Sequence, residues 1–147
     1  MNVTELLPQA RRRLVKIGHD AKLICAARTL GDPSVELVVV CDDDERVAGV
    51  VSRTDILARI SQCTGCTCAE AVATAMTRDV VSCDPCEPLS EIWSRMKATG
   101  HRQLPVVDAD NHPLGVLSAR EVLERLLADK DYEESLLIEY IASVGYR

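Results

Sequence analysis

The sequence predicts an α/β protein of the α+β kind, made of two β-α-β-β-α repeats packed together with a cleft between them. Three observations carry that prediction. The stretch Gly49-Val50-Val51-Ser52-Arg53-Thr54-Asp55-Ile56-Leu57 returns 66 residues later as Gly115-Val116-Leu117-Ser118-Ala119-Arg120-Glu121-Val122-Leu123, each behind a valine pair and a polar turn. Leu23, Ala26, Ala27 and Leu30 fall on Leu89, Ile92, Trp93 and Met96 at the same offset, the i, i+3, i+4, i+7 spacing of one buried helix face. Short β-branched runs flank Asp42-Asp43-Asp44-Glu45-Arg46 and Ala109-Asp110-Asn111-His112-Pro113, the pattern of antiparallel hairpins. A duplicated unit this small cannot bury its own apolar face, so the two copies must pack together.

Each copy opens on a polar approach to a short strand. Ala10 to Ile17 matches Met76 to Cys83. The first helix of each copy follows, through Leu23 and Leu89. The hairpins come next, Leu37 to Cys41 with Val47 to Val51 and Leu104 to Asp108 with Leu114 to Leu117. In this alignment the connection after the first helix is one residue longer in the second copy and the hairpin turn one residue longer in the first, which restores the offset. Second helices begin at Ser52 and Ser118 and bury Ile56, Leu57 and Ile60, or Val122, Leu123, Leu126 and Leu127. The copies occupy residues 6–60 and 72–127. A Cys-, Thr- and Gly-rich linker spans 61–71, and the Ala-rich run 69–75 suits a short helix. Residues 128–147 read as a C-terminal amphipathic helix with Leu136, Leu137, Tyr140, Ile141 and Val144 on its apolar stripe.

Composition bounds the function. A chain of 147 residues with 47% hydrophobic and 27% charged residues is an ordinary globular composition. There is no basic start with a long apolar core behind it, and no run of about 18 apolar residues, which predicts a cytoplasmic protein without a membrane span. A net charge of −6 argues against nucleic-acid binding, which needs a basic face to displace counterions. His19, His101 and His112 have no nucleophile or carboxylate at catalytic spacing, so no enzyme activity is expected.

Ala75-Met76-Thr77-Arg78-Asp79-Val80-Val81, Pro88-Leu89-Ser90-Glu91, Gly100-His101-Arg102-Gln103-Leu104-Pro105-Val106-Val107-Asp108 and Gly115-Val116-Leu117-Ser118 together resemble a CBS domain. The first copy resembles a more diverged one, so the chain is similar to a tandem CBS pair, or Bateman module. The resemblance implies a disc-like pair with a pseudo-twofold axis and a homodimer formed through its helices. It also implies adenosine ligands between the repeats, AMP, ADP, ATP or S-adenosylmethionine, and a regulatory role toward a protein partner.

The Gly49-x-x-Ser52-x-x-Asp55 turn suits a ligand at a strand-to-helix junction, because glycine permits close approach and the helix N-terminus offers free N–H groups to phosphate. By the resemblance, Asp55 would hold ribose hydroxyls, with Ser52 and Thr54 beside the phosphates. The same spacing is also a capping box, and both roles can coexist. In the second copy Glu121 carries an extra methylene and suits the capping box with Ser118. There Arg102 precedes Leu104-Pro105, with the proline favouring an extended start to the strand. The first copy has Val38 in place of that proline and Val35-Glu36 in place of Arg102-Gln103. The expected site is therefore one asymmetric cleft formed from Val51, Ser52, Arg53, Thr54, Asp55, Val81, Ser82, His101, Arg102, Pro105, Ser118, Arg120 and Glu121, with Arg53, Arg120 and Arg102 as phosphate partners.

Seven cysteines offer the alternative. Cys63-x2-Cys66 and Cys83-x2-Cys86, with 16 residues between the pairs, match a zinc-ribbon spacing or a thiol redox sensor, with Cys68 spare. Cys25 and Cys41 fall at core-like positions. A third reading is a structural interaction domain whose clefts are vestigial.

Overall fold

The computed structural model describes residues 2–62, 70–128 and 138–139. The first copy builds a three-stranded sheet in the order β1 (Lys16–Gly18), β2 (Leu37–Cys41), β3 (Val47–Ser52). β1 runs parallel to β2, and β3 is antiparallel. The second copy builds the antiparallel pair β4 (Gln103–Val107) and β5 (Pro113–Ser118). Its opening segment contributes one parallel bridge, Cys83 to Val106, rather than the expected strand. The Cys83 N–H donates to Pro105 O and the Val107 N–H to Cys83 O. Pro85 and Pro88 follow directly, and the chain turns at Pro85-Cys86 before the pairing can lengthen.

Register corrects the alignment of the hairpins. Val40 pairs with Gly49 and Val106 with Gly115, and each ladder slips just past that point, between Val40 and Cys41 or between Val106 and Val107. Glu45 and Asn111, at equivalent turn positions, both take positive φ, 63° and 65°. The offset of 66 thus holds throughout each hairpin, without the inferred compensating length changes. Leu37 corresponds to Gln103, Val39 to Pro105 and Glu36 to Arg102. The apolar match of Leu37 with Leu104 had displaced the strands by one residue.

Helix α2 (Leu23–Leu30) buries Leu23, Ala26 and Leu30, and α4 (Leu89–Thr99) buries Leu89, Ile92 and Met96, following the periodic stripes. Gly100 ends α4 in the left-handed conformation at φ 74°, its N–H donating to Met96 O. The hairpin-following helices, α3 (Arg53–Ser61) and α5 (Ala119–Leu127), are buried less than their sequence suggests. Ile56, Val122 and Leu126 are buried, whereas Leu57, Ile60 and Leu127 are 66, 51 and 42% exposed. In place of the Ala-rich helix there is one 3-10 turn, Val72–Thr74. Most of the C-terminal helix expectation, and Cys63, Cys66 and Cys68, lie outside the described residues. No helix among the described residues is long and apolar enough to cross a membrane.

The cores exchange their opening segments. Helix α1 (Leu7–Arg13) and the 3-10 turn before it, Val3–Leu6, place Val3, Leu6 and Ala10 in the core of the second copy, against Leu89, Ile92, Leu104 and Leu117. Val72, Ala75 and Met76, from the approach to the second copy, pack in the core of the first with Leu23, Val38 and Val51. The two glycines that announce the repeat are the receiving points. A Cβ on Gly115 would stand 2.7 Å from the backbone of Ala10, and one on Gly49 would stand 2.7 Å from Thr77 O. Close approach at Gly49 therefore serves chain packing and not a ligand. Val39, Cys41 and Val116 join the copies in a third buried cluster. The hairpin tips also meet, with Val47 N donating to Asn111 O and Asn111 Nδ2 donating to Val47 O.

Candidate functional site

Exchange of the opening segments brings the end of β3 and the start of α3 opposite the start of β4. Between them lies a cleft with two adjoining basins. The inner one, about 220 Å³, is walled by Leu37, Val50, Val81, Leu104 and Pro105 and edged by Ser52, Thr54, Asp55, Thr77, Asp79, His101 and Gln103. The outer one, about 410 Å³, adds Glu36, Arg53, Gly100 and Arg102. The Asp55 half retained by the first copy and the Arg102 to Pro105 half retained by the second face each other across this one cleft.

At the start of α3 the capping box is complete. Ser52 N donates to Asp55 Oδ2 at 2.9 Å, and Asp55 N donates back to Ser52 Oγ at 3.4 Å. The second oxygen, Oδ1, accepts from Thr77 Oγ1 at 3.1 Å. The carboxylate is thus fixed in orientation from two sides while it edges the inner basin. Thr77 is itself pinned, since its N–H donates to Val50 O and its carbonyl accepts from Val50 N.

Several expected site residues have other employment. The Val51 side chain is fully buried in the first core, and its neighbour Val50 lines the cleft, as strand alternation requires. Arg53 borders the outer basin, but its guanidinium donates to the carbonyls of Leu30, Asp32 and Val35, closing the C-terminal end of α2. The Ser82 carbonyl accepts from Arg95 Nη1, and Ser82 does not line the cleft. Arg120 points away and pairs with Glu124. Ser118 makes no side-chain cap bond, so the second capping box is absent. Glu121 instead receives a two-pronged bond from Arg13, Nη1 to Oε2 at 2.9 Å and Nη2 to Oε1 at 2.5 Å, and Arg13 Nη1 also donates to Val116 O.

That ion pair lines the counterpart cleft, about 340 Å³ in volume, together with Gln9, Arg12, Val15, Ser34 and Val35. At the offset of 66, Arg13, Val15, Val35 and Glu121 correspond to Asp79, Val81, His101 and Asp55. One cleft presents a carboxylate to its interior. The other ties its carboxylate to an arginine.

Sequence reasoning missed Thr77, Asp79 and Gln103. The first two stand inside the quoted stretch Ala75 to Val81, and their signal was a hydroxyl and a carboxylate two residues apart, just ahead of the bridge to β4. Gln103 was hidden by the one-residue shift of the hairpins.

Cys83 and Cys86 occupy different surroundings. Cys83 lies in the core with its Sγ 3.6 Å from Pro105 O, under the cleft wall, and Cys86 is exposed. Burial pushes the Cys83 thiol up to about 12, with Glu87 adding to the rise, the opposite of what a redox nucleophile requires. Alkylation of folded protein by iodoacetamide at pH 8 should label Cys86 and leave Cys83 unmodified until denaturant is added; peptide mass spectrometry reads both, and early labelling of Cys83 would contradict its burial. Among the described residues, ligand atoms of Asp108, Asp110 and His112 lie within 4.8 Å of one another at the second hairpin turn. There Asp108 Oδ1 is occupied by the N–H groups of Asp110 and His112.

A β-α-β-β-α unit and a second copy whose first strand is reduced to one bridge, exchanged around an inter-repeat cleft, define the class, and the CBS-domain profile matches residues 3–62 and 70–128. The chain belongs to the CBS-domain family as a tandem pair. The solved structure of CBSX2 in complex with AMP is 26% identical and superposes with a TM-score of 0.75 over 88% of this chain and 98% of that one. A CBS-domain-containing protein from Agrobacterium tumefaciens is 25% identical, with a TM-score of 0.71 over 85% of this chain and 98% of that one. The 5'-AMP-activated protein kinase subunit gamma-3 of Bos taurus is 29% identical over 122 residues, 79% of this chain and 24% of the kinase subunit. The chain therefore spans about a quarter of the length of that curated relative.

Proposed function

We infer that this CBS pair is a regulatory, non-catalytic, cytoplasmic module that binds one adenosine ligand per chain in the cleft between Asp55 and Arg102. One observation carries the reading: the two site halves kept by different copies meet in a single apolar-walled cleft, while in the other cleft the carboxylate of Glu121 is taken up by Arg13. The inner walls of Leu37, Val50, Val81, Leu104 and Pro105 suit a flat base. Asp55, held by Ser52 and Thr77, suits a ribose diol, and the amino end of α3 with Arg102 suits a phosphate. The AMP carried by CBSX2 supports the same ligand class.

The regulatory output we propose runs through α3. This helix starts at the cleft and exposes Leu57 and Ile60 further along, a surface suited to a homodimer or a regulated partner. A ligand shifts such an interface only by binding its two arrangements unequally.

Calorimetric titration with AMP tests the reading. One saturable event with one ligand per chain is expected. Asp55→Asn keeps an acceptor for the Ser52 N–H and is expected to weaken binding at least tenfold, whereas Glu124→Gln, outside the cleft, leaves it unchanged. Absence of saturable heat with AMP, ATP and S-adenosylmethionine would sink the proposal.

A further inference from the structure

The charges lining the cleft carry an inference about which adenosine ligands it accepts, and it rests on the function proposed above. Asp55 and Asp79 border the inner basin, and Glu36 borders the outer one. Against them stand Arg53 and Arg102. The Arg53 guanidinium is spent on the carbonyls of Leu30, Asp32 and Val35, so its N–H groups are directed into the chain. Among the described residues, Arg102 alone is a permanently charged lining cation outside any side-chain hydrogen bond or ion pair. The counterpart cleft makes the arrangement pointed: where this cleft has Asp79, the equivalent position there is Arg13.

We propose that the cleft selects adenosine ligands carrying at most one phosphate and discriminates against triphosphates. A monophosphate places its two charges at the amino end of α3 and Arg102, where backbone N–H groups and one guanidinium meet them. A sulfonium adenosine ligand brings a positive charge that sits favourably beside Asp55 and Asp79, and a neutral thioether ligand brings no charge for them to repel. A triphosphate adds about two more negative charges beyond those groups, next to Glu36 and with no further free guanidinium to receive them. Selectivity here comes from an unfavourable element, the acidic rim, as much as from attraction.

Titration of the full chain, without divalent cations, by AMP, 5'-methylthioadenosine, S-adenosylmethionine and ATP reads the selectivity directly. AMP or one of the sulfur-containing adenosine ligands should bind at least tenfold tighter than ATP. Asp79→Asn lies outside the capping box and should raise ATP affinity several-fold more than 5'-methylthioadenosine affinity, and raised salt should narrow the gap in the same sense. ATP binding as tightly as the best of the others, or a gap unmoved by Asp79→Asn, overturns the charge selectivity and leaves the adenosine site standing. Silence of all four ligands overturns both.

Discussion

Gly115→Ala is expected to destabilise the protein by about 1–3 kcal/mol, the usual range for forcing a methyl into a filled core, and Gly115→Val by more. The added Cβ would lie 2.7, 2.8 and 2.9 Å from C, Cβ and O of Ala10. Contacts under 3.0 Å require something to move, and the neighbour here is helix backbone. α1 has little room to withdraw. Val3 N donates to Glu87 O and Thr4 N to Pro85 O just ahead of it, and Val3, Leu6 and Ala10 are buried in the second core. The Gly49→Ala variant meets Thr77 O at 2.7 Å and the Met76 side chain at 2.8 Å. Met76 can change rotamer, but Thr77 is held by two backbone bonds to Val50. Its displacement would also release Asp55 Oδ1. The two variants should therefore separate: both lower the urea midpoint, but Gly49→Ala also weakens AMP binding whereas Gly115→Ala spares it. An unchanged midpoint for Gly115→Ala would mean that α1 can shift freely on β5.

The repeat was legible because its signals are local. Leu23, Ala26 and Leu30 announce one face of α2, and Leu89, Ile92 and Met96 one face of α4, whatever they pack against. The exchange of opening segments was not legible, because it joins Ala10 to Gly115 and Met76 to Gly49 through contacts that leave no periodicity. Glycine at a strand position was read as room for a ligand, and the occupant is the other copy's chain. Apolar content overstated burial on α3: Ile56 faces the core, but Leu57 is its immediate neighbour, a quarter-turn round the helix, and stays exposed. The asymmetry of the two copies was legible from Asp55 against Glu121 and from Arg102 and Pro105, which the first copy lacks. That Arg13 would claim Glu121 was not, since 108 residues separate them and the capping-box spacing offered a local partner.

The Arg13 to Glu121 pair carries the second large expected effect. Both side chains are 24% exposed, and the fork also donates to Val116 O, tying the end of α1 to the start of α5 and to β5. Removing Arg13 leaves a partly buried carboxylate without its donors, so Arg13→Ala should cost about 1–2 kcal/mol, below the figure for a fully buried charge because solvent still reaches the pair. Glu121→Ala should cost a similar amount. In the double variant the loss should fall short of the sum, and a coupling of about 1 kcal/mol in urea denaturation would measure the pair itself. The functional consequence separates two accounts of the counterpart cleft. If the ion pair alone blocked a second ligand, Arg13→Ala combined with Glu121→Asp would raise AMP stoichiometry from one to two. We expect it to remain one. At the offset of 66, Arg11 stands where the first cleft has Thr77, Glu36 where it has Arg102, and Val39 where it has Pro105. A carboxylate freed from Arg13 would thus lack the hydroxyl that orients Asp55 and an arginine at the position of Arg102, with Arg12 the cation left in that lining, and a second binding event would show that those partners are dispensable.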